Sequence, residues 1–64
     1  EAVMTAEMKL ARGEGDRRET LLELVDLYEQ LEDYSSATER LLAALVEQDD
    51  PALHERLRRL EDRI

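Results

Sequence analysis

Sixty-four residues allow one small domain, and a chain this short buries only about 60% of its unfolded surface, so small folds recruit a crosslink, a metal or a partner chain. Cysteine is absent, which excludes disulfides and thiolate metal sites. The net charge of −8 is concentrated: residues 19–50 hold ten acids against Arg40 alone, whereas residues 1–18 balance and residues 51–64 are slightly basic.

A central acidic stretch repels phosphate, so neither nucleic acid nor an anionic membrane is an expected partner. No apolar run approaches the ~20 residues of a membrane span, and no signal-peptide core is present. The absence of cysteine suits a cytoplasmic location, which is the expected one. Arginine greatly outnumbers the single Lys9, as in proteins from GC-rich bacteria. A start at Glu1 rather than Met suggests a fragment or processed product of a larger protein. Leucine dominates the apolar residues, the only aromatics are Tyr28 and Tyr34, and β-branched residues are few. That composition predicts an all-α fold.

The first predicted helix spans residues 2–12, with Val3, Met4, Met8, Leu10 and Ala11 as its apolar content. Met4 and Met8 lie one turn apart and read as core. Gly13 suits a left-handed helix stop, and Gly13-Glu14-Gly15 forms the most flexible link. The second helix, residues 17–31, starts at Asp16, with Glu19 at capping-box spacing. Its stripe of Leu21, Leu24, Val25, Tyr28 and Leu31 keeps a 3.6-residue period, and Leu22 and Leu27 fall outside it.

After a break at Glu32-Asp33, the third helix spans residues 34–48, capped by Asp33 or Ser35. It should bury Tyr34, Ala37, Leu41, Ala44 and Leu45, leaving Leu42 and Val46 on a second face. Asp49-Asp50-Pro51 reads as cap plus first-turn proline. The fourth helix, residues 51–64, carries a heptad seam of Leu53, Leu57, Leu60 and Ile64, expected to cover the Leu42 and Val46 face or to dock on another chain. Short breaks make successive helices antiparallel neighbours, in a helical array or a small four-helix bundle.

Leu21, Leu24, Tyr28, Tyr34, Ala37, Leu41 and Ala44 resemble, in order and spacing, the signature of a tetratricopeptide repeat across residues 18–51. Tyr28 and Tyr34 bracket the turn, and Ala37 and Ala44 permit close helix approach. Three positions depart from the pattern. Val25 stands where a small residue is usual, Glu32 where a glycine opens the turn, and Pro51 falls two residues late. The resemblance implies an antiparallel hairpin that acts as a non-catalytic protein-interaction adaptor. It also implies that the first helix of the pair lines a groove with Glu19, Leu22, Glu23, Asp26, Glu29 and Gln30. That strip suits a basic peptide with an apolar anchor seated on Leu22.

The alternative is a structural element that self-associates into a homo-oligomeric bundle, with Leu53, Leu57, Leu60 and Ile64 as the interface.

Chemistry for catalysis or metal binding is not expected. His54 is the only histidine and reads as a solvated surface residue. Glu47, Asp49 and Asp50 lack the alternating ligands and glycine of a calcium loop. Thr5, Thr20, Ser35, Ser36 and Thr38 give no sequence support for nucleophilic catalysis. The two glycines make no phosphate-cradling loop. No enzyme activity, cofactor or metal site is therefore expected.

Overall fold

The computed structural model describes residues 2–64. They form four helices: α1 (Ala2–Arg12), α2 (Arg17–Gln30), α3 (Tyr34–Glu47) and α4 (Pro51–Glu61). Each helix packs on its neighbours in sequence, and α2 against α3 is the most extensive interface. The resulting slab measures 31 × 25 × 12 Å. Its short axis is close to the ~8–10 Å between packed helix axes, so the helices form a thin serial array.

Local chemistry marks the starts of α2, α3 and α4. Asp16, Asp33 and Asp50 each accept a hydrogen bond from a backbone amide of the first turn that follows, those of Arg18, Ser36 and Ala52. Pro51 then occupies the first turn of α4, where its missing amide costs nothing. Of the two caps expected for α3, Asp33 is the one used. In the expected capping box, the Asp16 carboxylate meets the Arg18 amide one position before Glu19.

Two helices end in the same way. At the end of α1 the Glu14 amide bonds the Lys9 carbonyl and the Gly13 amide bonds the Leu10 carbonyl, with Gly13 at φ +69°. At the end of α2 the Asp33 amide bonds the Tyr28 carbonyl and the Glu32 amide bonds the Glu29 carbonyl. Both are Schellman closures, which need one residue in the left-handed region. Glu32 fills that place at φ +60°, the only non-glycine residue with positive φ among those described. The tightness of the closure, rather than a glycine, sets the turn between α2 and α3.

The core cluster joins Leu21 and Val25 of α2, Ala37, Leu41 and Ala44 of α3, and Leu53 and Leu60 of α4. Val25 is fully buried, so the larger side chain is accommodated where a small one was the usual expectation. Ala37 and Ala44 are also fully buried, and their size lets the backbones approach. From α1, Leu10 packs against this cluster, and Ala6 is buried where α1 lies on α2.

Four packing expectations are corrected. Met4 and Met8 are exposed rather than core, because α1 sits at the edge of the array and turns Ala6 toward α2. Leu31, at the end of the α2 stripe, is 64% exposed, since the helix closes there and the chain reverses. The α4 seam does not cover Leu42 and Val46, which stay exposed; Leu53 and Leu60 enter the common core instead. Finally, α4 ends at Glu61, and Ile64 is 71% exposed beyond a terminal turn closed by the Arg63 amide on the Leu60 carbonyl. Leu57 is half-buried against the core. The one-residue differences at the ends of α2 and α3 are ordinary fraying.

Candidate functional site: a charged strip shared by two helices

The expected recognition strip lies on α2, and its residues have different surroundings. Glu19, Glu23, Asp26 and Gln30 are exposed. Leu22 is half-buried and packs against the core, so it is not the free apolar anchor expected.

Asp26 and Glu29 are not free acids. The Arg56 guanidinium of α4 donates from Nη2 to the Asp26 carboxylate, and from Nε and Nη2 to Glu29 Oε2 at 3.1 and 2.8 Å. Burial opposes the charge on Arg56, but hydrogen bonds and attraction from Asp26 and Glu29 outweigh it and raise its pKa. One arginine thus ties α4 to α2 and halves the negative charge at the centre of the strip. Glu19 and Glu23, one turn apart, carry no ion pair among the described residues.

A depression of about 380 Å³ opens beside this clamp, lined by Glu29, Arg56, Arg59, Leu60 and Arg63. Arg63 lies over the Tyr34 ring, 5.5 Å from its centroid, and donates to the Tyr34 hydroxyl at 3.4 Å. Leu60 is buried beneath. The sequence strip therefore borders a basic surface that residue spacing on α2 alone does not reveal.

A second polar node holds the opposite edge. Glu7 Oε2 of α1 accepts from the Tyr28 hydroxyl at 2.5 Å and from Arg40 Nε and Nη2 at 3.2 and 2.8 Å. Burial opposes ionisation of Glu7, yet the Tyr28 and Arg40 hydrogen bonds and the Arg40 charge prevail and hold its carboxyl below the usual range. The hydrogen bond to Glu7, with burial, raises the Tyr28 phenol. This node joins α1, α2 and α3. No sequence signal could have found it, because Glu7 and Arg40 lie on different helices and each reads as an ordinary surface charge.

The carboxylates near the third loop are separately engaged. Glu47 faces Arg17 at 3.3 Å, Asp49 meets His54 Nε2 at 2.5 Å, and Asp50 holds Arg18 at 3.1 Å while capping α4. Among the described residues no group of three or more His, Cys, Asp or Glu side chains is arranged to hold a metal ion. No helix is long and apolar enough to cross a membrane.

Fold and surface together define a small all-α protein of four serially packed helices with a charged strip on one edge. Compared with family models, curated proteins and solved structures, the chain finds no match in any of the three.

Proposed function

We propose that the chain is a non-catalytic protein-interaction module, which presents the outward strip of α2 to a basic segment of a partner protein. The tetratricopeptide-like spacing of residues 18–51 is consistent with this role. The observation that carries it is the pair Glu19 and Glu23: exposed, one turn apart, and without a cation of their own among the described residues. Gln30 extends the polar strip, and half-buried Leu22 lies between the two acids as a shallow apolar contact. Asp26 and Glu29 serve chiefly to position α4, so charge reversal there disturbs the fold as well as the strip.

The test is binding of a labelled peptide of alternating Lys and Leu, followed by anisotropy at rising salt. Affinity should fall as salt screens exposed charges beyond the Debye length, ~10 Å at 0.1 M. Glu19→Lys with Glu23→Lys should weaken binding at least about tenfold, with helicity retained. Undiminished binding by that variant rejects the assignment.

The alternative reading, a self-associating structural element, draws support from exposed apolar pairs one turn apart: Met4 with Met8, and Leu42 with Val46. The Leu53–Leu60 seam is spent within the monomer core, so it supports that reading less. Light scattering separates the two. A mass of 7.4 kDa favours the adaptor, and a concentration-independent multiple favours assembly.

A further inference from the structure

We propose that the depression at the α2–α4 edge, lined by Glu29, Arg56, Arg59, Leu60 and Arg63, binds an oxyanion carried on a peptide, either a carboxylate or a phosphoryl group. This inference stands apart from the acidic-strip reading, since it concerns a cationic site and holds for an adaptor or an assembly element alike.

Arg56 and Arg59 lie one turn apart on α4, and Arg63 follows in the turn beyond its end, so all three line the depression. Arg56 is taken up by Asp26 and Glu29 and offsets one of their two negative charges, so the cations left for a ligand are Arg59 and Arg63. Arg59 and Arg63 have no ion pair among the described residues, although the chain carries 17 acids. Glu61 and Asp62 sit beside Arg63 in sequence without pairing to it. Two cations lining one depression repel each other, and an anion between them relieves that repulsion.

The geometry suits such an anion. Arg63 is held against the Tyr34 ring and hydroxyl, so part of its rotamer freedom is already restricted before any ligand arrives. Guanidinium groups present paired N–H donors that match the oxygens of carboxylate and phosphate. Leu60, buried in the core, anchors the helix beneath the depression. The depression, about 380 Å³ and open to solvent, admits one anionic side chain or chain end.

The experiment is an NMR titration of the full chain, isotope-labelled to resolve arginine Nε–Hε signals. Three short peptides of one sequence serve as probes: one bearing free acidic side chains, one phosphorylated on serine, and one with amides in place of the acids. Saturable shifts of Arg59 and Arg63 are expected with one or both anionic peptides and not with the neutral one. The tighter of the two identifies the oxyanion. Arg59→Ala with Arg63→Ala should lower affinity at least about tenfold, whereas Arg58→Ala, exposed on α4 but outside the depression, should leave it unchanged. Arg59→Lys with Arg63→Lys keeps the charge and removes the paired donors, so it should also weaken binding. Failure of both anionic peptides to saturate, or an equal loss with Arg58→Ala, overturns the proposal.

Discussion

The two ends of this array are fastened by different physics. At one end α4 is held by leucine: Leu53 and Leu60 share a buried cluster with α2 and α3, and Arg56 adds a clamp at the rim. At the other end α1 buries only Ala6 completely and leaves Met4 and Met8 exposed. Its hold on the rest includes a carboxylate, Glu7, that receives three hydrogen bonds from two other helices. Apolar burial scales with area and depends little on orientation, whereas a polar node needs each donor in place. The α4 end should therefore respond to loss of volume, and the α1 end to loss of charge and to pH.

The largest expected effect is at the leucine end. Leu60→Ala removes a core side chain and should cost about 2–4 kcal/mol in urea unfolding. A domain this size holds only ~3–10 kcal/mol, so loss of most helicity is the expected result. A cost under ~0.5 kcal/mol would mean that α4 is not anchored by its seam.

At the α1 end, Glu7→Gln should cost about 1–2 kcal/mol at pH 7, since a charged acceptor becomes neutral within a partly buried node. The folded carboxyl has a lowered pKa, so its contribution is complete above the unfolded value of ~4.3 and fades as pH falls through the folded value. The stability difference between wild type and variant should shrink in that acid range. Tyr28 has a raised pKa, so its share is complete below ~10 and fades as pH climbs through the folded value. A difference that stays constant across both ranges would show that the node contributes nothing through ionisation.

Between the two ends, Glu32→Gly should raise stability by about 0.5–1 kcal/mol. It relieves a left-handed side chain at the Schellman closure, less the extra freedom glycine gains when unfolded. A rise in melting temperature checks this. The smallest effect belongs to Ile64→Ala, at under ~0.5 kcal/mol, because Ile64 is exposed beyond the end of α4. A larger cost would place Ile64 in a contact formed between chains.

Residue chemistry alone specified the four helices, because caps and stops act over a few residues: Asp16, Asp33, Asp50 and Pro51 at the starts, and Gly13 at one end. It also specified the central hairpin core of Leu21, Leu24, Val25, Ala37, Leu41 and Ala44, whose periodicity reports a buried face directly. Only the tertiary structure decided which apolar residues beyond that core are covered. Met4, Met8, Leu42 and Val46 have the same helical spacing as buried leucines, and exposure depends on which neighbour lies over them. It likewise decided the charges. Asp26 and Glu29 read as free acids of a groove until Arg56, a whole helix away in sequence, folds onto them. Ion pairing depends on distance in space, and sequence spacing reports that distance only within a single helix.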